Sequence, residues 1–314
     1  MSTFHDNEPY SFSYVECKPH SAAVFVVCDG HGLEADVADF VCGALPTRIA
    51  NKLRQNEETI DRDIDLFAPI RVQYIVDQEF RALAITVREI FAGKRVGSTA
   101  TVVVIVRNDT KCSWEVTTAH VGDTRAILVP LKSVGRNRTK EALSPSILTE
   151  DHRLDNFKEF QRVWEYHQHD EIYKKSGERE TVVARRKCGI TGEVGPQVVL
   201  NETTGVSVMV TRSFGDCLAS PAIIYEPEIS FRELPDECKI IVASDGVWDV
   251  CNLERVARLA RSSSKASRIA RKVCATAKEK RLYSGKHLDD ISCLVVDLET
   301  KSSTAMRREL LVSG

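Results

Sequence analysis

Apolar residues gather along this chain in a few dense, β-branched runs. Ala22 to Cys28, Thr99 to Val106, Trp114 to His120, Arg125 to Leu131, Lys239 to Ser244 and Ile291 to Leu298 read as strands buried on both faces. Val206–Thr211 and Glu228–Glu233 read as further strands, and Gly30 to Gly32 as a turn. A different period appears elsewhere. Between Glu34 and Arg54, Val37, Phe40, Val41, Leu45, Ile49 and Leu53 recur at helical spacing, with Pro46 placed to kink or split the helix. Ile70–Phe91, Leu154–Tyr166, Leu253–Arg261 (Asn252 as N-cap) and Ser264–Tyr283 read as helices too. His167 to Gly205 is polar and glycine-punctuated, a long surface excursion. Helices interspersed among strands predict an α+β fold, with helices covering an antiparallel sandwich. No linker interrupts the pattern, so one domain over 1–314 is expected, with a variable flap at about 167–205.

Several strand runs end or begin on aspartate: Asp29, Asp123, Asp245, and the pair Asp289 and Asp290. Carboxylates at the mouths of buried strands converge only if something offsets their repulsion. A divalent cation does so most cheaply, and oxygen ligands select Mg²⁺ or Mn²⁺ over softer metals. The pattern alone suggests a metal-dependent enzyme.

Composition narrows the class without changing it. Over 314 residues, 43% are hydrophobic and 28% charged, ordinary for a globular protein, and the net charge of −2 gives no reason to expect nucleic acid or an anionic membrane as partner. No apolar run approaches the roughly 18 residues that span a bilayer. The first residues lack the features of a signal peptide and the glycine of a myristoylation site. The ten cysteines include no C-x-x-C pair, and Cys28, Cys42 and Cys293 sit in apolar segments, so reduced thiols and a cytoplasmic or nuclear location are expected. No oligomerisation surface stands out, and a monomer is expected.

Read in order, the turns are Asp29-Gly30-His31-Gly32, Gly97-Ser98-Thr99-Ala100, Gly122-Asp123-Thr124-Arg125, Thr149-Glu150-Asp151-His152, Thr211-Arg212-Ser213-Phe214-Gly215-Asp216, Ser244-Asp245-Gly246-Val247-Trp248-Asp249 and Asp289-Asp290-Ile291-Ser292. In this order they resemble the metal-dependent protein phosphatases of the PPM (type 2C) family. The resemblance implies a central β-sandwich of two antiparallel sheets flanked by helices, with a two-metal site at one end. It implies hydrolysis of phosphoserine and phosphothreonine in phosphoprotein substrates. Asp29 would bridge two Mg²⁺ or Mn²⁺ ions, helped by the Gly30 carbonyl, and Asp245 and Asp289 would complete one of them. Asp123 and Asp249, with Asp245, match a looser third site. His31 matches the general acid for the leaving alkoxide.

Elementary chemistry agrees, since two ions can activate a water near neutral pH while histidine supplies a proton to the leaving oxygen. Asp249 could equally be a helix cap. Asp151, His152 and Asp216 read as turn-forming residues and Trp248 as core. Arg179, Arg185, Arg186 and Lys187 are either a solvated loop face or an attraction for phosphorylated substrate. One element departs from the family pattern. The usual amino-terminal arginine that clamps phosphate is absent, and the acidic ligand of the second metal is Glu8, preferred, or Asp6. Arg212 or Arg125 is the expected substitute for that arginine, with Arg212 favoured for substrate binding. The rival reading is a pseudophosphatase scaffold of the same fold with impaired phosphate binding.

Overall fold

In the computed structural model the chain is described over residues 12–17, 22–32, 36–58, 68–108, 111, 113–131, 143–173, 182–187, 194–234, 237–284 and 289–298. The first sheet is built from β1 (Phe12–Cys17), β2 (Ala22–Gly32), β3 (Val96–Asn108), β4 (Ser113–Val121) and, from far along the chain, β11 (Glu228–Leu234). They lie in the order β1-β2-β3-β4-β11, all antiparallel, and the short β10 (Phe214–Gly215) adds to β3. The second sheet has the order β13-β12-β5-β6, from β5 (Arg125–Pro130), β6 (Ser146–Ile147), β12 (Cys238–Ala243) and β13 (Cys293–Leu298).

Side-chain alternation explains why these strands carry apolar runs rather than an apolar–polar alternation. On β2, Ala22, Val24, Val26 and Cys28 face helices α1 (Asp36–Glu58) and α2 (Pro69–Ile90). Ala23, Phe25 and Val27 face the other way, onto Ala126, Leu128, Ile240, Val242, Leu294 and Val296 of the second sheet. The far face of that sheet, with Ile127, Val129, Ile241, Ala243 and Val295, is covered by α5 (Leu253–Arg261) and α6 (Ala266–Ser284). The result is helix, sheet, sheet, helix, with three stacked apolar layers between them.

Differences from the sequence reading are local. β2 runs through Gly32, so Gly30 to Gly32 are strand rather than turn. α1 continues across Pro46 as one helix. The polar excursion is organised: α3 (Phe157–Tyr173) extends into it, and β7 (Val182–Lys187), β8 (Val194–Asn201) and β9 (Val206–Val208) form a separate three-stranded sheet. Asn252 caps α5 as expected, its side chain accepting from the Arg255 amide at 3.0 Å. Cys28, Cys42, Cys238, Cys251, Cys274 and Cys293 are buried free thiols, and Cys217 is a free thiol at intermediate depth. No helix among the described residues is long and apolar enough to cross a membrane.

Candidate active site

Strand register gathers the motifs. Because β2 and β3 are antiparallel neighbours, Asp29 faces Thr99, Gly30 faces Ser98 and His31 faces Gly97. One strand further, Val121 of β4 faces Ala100, which delivers Gly122 and Asp123 to the same end of the sheet. In the second sheet Ala243 pairs with both Arg125 and Cys293. Asp245, just after β12, and Asp289, just before β13, therefore leave at that sheet's corresponding end.

Small residues make the convergence possible. Gly122 has φ +90°, and a Cβ there would lie 2.5 Å from the Thr99 side chain. Thr99 Oγ1 and Thr124 Oγ1 share a hydrogen bond of 2.6 Å across this turn. A Cβ on Gly246 would lie 2.2 Å from the Asp290 carbonyl oxygen, so only glycine lets the Asp289 loop approach Asp245. Ser244 stitches the two loops: its hydroxyl donates to the Asp290 carbonyl at 3.0 Å and accepts from the Ser292 amide at 3.0 Å.

Asp29, Asp123 and Asp245 feel one another strongly. Burial, then repulsion from Asp245, Asp123 and Asp289, holds the Asp29 carboxyl well above the usual range. Burial and Asp245 push Asp123 up to about 7, against the opposing pull of Arg153. Burial, Asp289 and Asp249 raise Asp245 to about 6. Asp29 and Asp245 are thus each held toward the protonated form by burial and by the charge of the carboxylates around them. Asp289 differs: it is exposed rather than buried.

Among the described residues, no three His, Cys, Asp or Glu side chains are already arranged around a common point to hold a metal ion. The donor chemistry nevertheless fits a hard divalent cation. The donors are all oxygens, and burial together with their mutual repulsion raises three carboxyls above their usual range. Asp29, Asp245 and Asp289 would hold such an ion. Glu8 and Asp6 lie outside the described residues, as does Arg179. Of Arg185, Arg186 and Lys187 only the backbone, on β7, is described.

His31 has a partner that its motif did not reveal. Its Nε2 stands 2.7 Å from Asp216 Oδ2, which also accepts from the Ser213 hydroxyl. Burial would lower the imidazole pKa, but Asp216 more than offsets this and holds it above the ordinary value. By sequence alone Asp216 is a turn carboxylate. It does sit in a turn, at φ +48°, yet its carboxylate is aimed at His31. Gly97 makes room for the pair, since a Cβ there would lie 2.4 Å from both Asp216 Oδ2 and His31 Nε2.

The arginines fall differently from the sequence reading. Arg212 does not reach toward the carboxylate edge. Its Nε and Nη2 clamp Glu159 Oε1, at 3.0 and 2.5 Å, and Nη1 donates to the Glu226 carbonyl at 3.0 Å. Arg125 is likewise committed, forked onto Asp151 with its Nε at 2.8 Å from Oδ1 and stacked over Trp248 at 5.4 Å. Their geometry is that of braces, each guanidinium committed by two nitrogens to one partly or fully buried carboxylate rather than turned toward a phosphate. Among the described residues, the cations that do reach the edge are Arg153 and Arg281, which sequence reasoning passed over. Arg153 Nη1 lies 3.4 Å from Asp123 Oδ2 and 3.4 Å from Asp249 Oδ1. Arg281, on α6 and only 3% exposed, donates through Nε to the Gly246 carbonyl at 2.9 Å. Its Nη2 lies 3.2 Å from Asp289 Oδ2 and 3.6 Å from Asp249 Oδ2. Asp249 caps the short α4 (Asp245–Trp248) at its C-terminal end, so its cap position and its place among the charged groups coexist.

Asp151 and His152 play the supporting part read for them. His152 Nδ1 accepts from the Gly122 amide at 3.2 Å, and its ring stacks on His120 with centroids 4.2 Å apart.

Comparison with known proteins assigns this architecture. The family profile described as protein phosphatase 2C matches residues 4–285. Protein phosphatase 2C 16 of Arabidopsis thaliana is 32% identical over 177 residues, 56% of this chain and 26% of that protein. Probable protein phosphatase 2C 3 of Oryza sativa subsp. japonica is 29% identical over 290 residues, 89% of this chain and 48% of that protein. The chain thus spans half or less of the length of these two relatives. Among solved structures, a serine-threonine phosphatase 2C from Toxoplasma gondii superposes with a TM-score of 0.66 at 16% identity, covering 90% of this chain and 87% of that one. A sex determining protein of C. elegans superposes with a TM-score of 0.57 at 20% identity, covering 88% and 56%. At these identities the superpositions establish the fold, an α+β sandwich. With its profile match over nearly the whole length, the chain belongs to the protein phosphatase 2C family.

Proposed function

We propose that this chain is a metal-dependent protein serine/threonine phosphatase acting on phosphoprotein substrates. The observation that carries the reading is the convergence of Asp29, Asp123 and Asp245 at one end of two sheets, beside a His31–Asp216 pair. Like charges so placed cost stability unless they serve to bind a cation. Mg²⁺ or Mn²⁺ bound there would supply a water acidic enough to attack phosphorus at neutral pH and would offset phosphoryl charge. Asp29, with the Gly30 carbonyl, Asp245 and Asp289 would hold the cations, and Glu8 would complete the set. With Nε2 turned to Asp216, His31 has Nδ1 left to give a proton to the departing serine or threonine oxygen. Asp216 fixes which ring nitrogen faces the substrate.

The β7–β8–β9 sheet borders this edge in the same reading, as the flap of a single phosphatase domain. Arg95 supports that placement: its Nη2 donates to the Thr204 carbonyl at 3.0 Å, tying the turn before β9 to the start of β3. Free, buried thiols fit a cytoplasmic or nuclear enzyme.

Turnover of a phosphothreonine peptide with Mn²⁺, abolished by a chelator and restored by added metal, is the expected result. Mn²⁺ binding without any turnover would replace the enzyme with a pseudophosphatase scaffold. Undiminished turnover by a chelator-stripped sample would overturn the metal-dependent mechanism.

A further inference from the structure

Both oxygens of Asp249 face a guanidinium. Arg153 Nη1 stands 3.4 Å from Oδ1 and Arg281 Nη2 stands 3.6 Å from Oδ2. Arg153 also reaches Asp123 Oδ2 at 3.4 Å, so its charge spans the gap between Asp123 and Asp249. The span is built into the fold. Arg153 is fastened by a bridge to Val210, and its carbonyl accepts from the Asn156 amide at 3.0 Å at the entrance to α3. Its side chain is only 18% exposed.

A guanidinium does not lose its proton in a protein, so this positive charge is permanent. A divalent ion placed between Asp123 and Asp249 would meet it at contact distance, where cations repel strongly in a partly dehydrated site. The ion would have to displace Arg153, and displacement would leave a half-buried guanidinium without its partners. The geometry points to Arg153 as the resident cation of the Asp123–Asp249 pair, occupying the place a third divalent ion would need. On this inference, which rests on the metal-dependent reading above, the chain is built to hold two ions. Asp249 then acts as an anchor for Arg153 and Arg281 rather than as a metal ligand.

The test counts ions. The 314-residue chain is titrated with Mn²⁺ into the millimolar range, and free Mn²⁺ is followed by its paramagnetic resonance signal. Wild type is expected to saturate with two ions. Arg153→Met should take up a third, and the added ion should vanish in the Arg153→Met, Asp249→Asn double variant. Arg153→Lys keeps the charge and should stay at two. Arg153→Gln, which keeps the stem and a hydrogen-bonding head, replaces the Met variant if that one fails to fold. Three ions on wild type, or only two on the neutral variants, would overturn the inference and leave the metal-dependent phosphatase standing. No Mn²⁺ bound to wild type would bring down both.

Discussion

Two acidic side chains in this molecule are equally buried and oppositely disposed. Glu159 is 2% exposed and Asp123 is 3% exposed. Burial alone would raise both. At Glu159, hydrogen bonds from Arg212, Arg162 and Thr211 reverse the effect and bring the carboxyl down to about 2. Asp123 has Asp245 for a neighbour and a single guanidinium at 3.4 Å, and it climbs to about 7. The first carboxylate is complete within the protein and ties α3 to the loop before β10. The second is only partly answered: Arg153 offsets some of the like charge around it, and the surplus that remains at Asp29 and Asp245 is what a metal ion can use. A buried carboxylate is therefore uninformative until its partners are known: full pairing marks a brace, and like-charge company marks a site.

The largest effect should come from breaking the brace. Glu159→Ala strands Arg212 and Arg162 beside a buried void. It should cost on the order of 3 kcal/mol in a denaturant titration, toward the low end for a broken buried pair because Arg162 keeps some solvent. A loss under about 1 kcal/mol would mean that the pairing is not what holds Glu159 in place.

Asp245→Asn should do the reverse. Losing one anionic donor should slow turnover of a phosphopeptide by about 100-fold or more. The metal-free variant should be at least as stable as metal-free wild type, since one repelling charge is gone. If it is destabilised as Glu159→Ala is, the distinction between the two carboxylates fails.

Acid should separate the two regions more gently. His120 and His152 are buried and neutral, with burial and then the neighbouring His152 holding His120 down to about 3. The unfolded chain binds a proton at each imidazole near the ordinary value, the folded chain only below it. Stability from these rings is therefore complete above about pH 6.5 and falls as pH drops, by at most about 1.4 kcal/mol per pH unit and ring. Asp123 and Asp245 behave oppositely: their folded pKa values lie above the unfolded ones, so protonation between about pH 7 and 4 stabilises the metal-free fold. Denaturant midpoints at pH 7, 6 and 5 should decline with Mn²⁺ present and stay flatter without it. Identical slopes would show that metal does not keep these carboxylates ionised.

What could be read from the sequence follows from the same distinction. Strands buried on both faces, such as β2 and β3, leave unbroken apolar runs and were legible. β1 was missed because Ser13, Tyr14 and Glu16 break its pattern, and Tyr14 on this edge strand is 36% exposed. β7 and β8 were missed within a segment whose glycines and charges resemble a loop. The acidic residues at strand ends stood out because a carboxylate after an apolar run is conspicuous. Arginines carry no such signal. Arg281 sits in a helix beside Lys278 and Lys280, and only α6 packing against the Asp245 turn distinguishes it from those surface cations. Arg212 looked available because nothing near it in sequence reveals Glu159, which lies 53 residues earlier.

The alternation along β2 carries a consequence for how this gene can change. Ala23, Phe25 and Val27 point into the inter-sheet layer, and by the same two-residue beat Asp29 and His31 share that face of the strand. Core and chemistry are thus written in one reading phase. Deleting a single codon between Ala22 and Asp29 would turn every later side chain over, sending the carboxylate and the imidazole toward α1 and α2 while Gly30 and Gly32 took their places. No compensating point substitution could undo both losses. Length variation among descendants of this chain should accordingly be confined to the connections, and β2 should tolerate exchange of residues but not a change in their number.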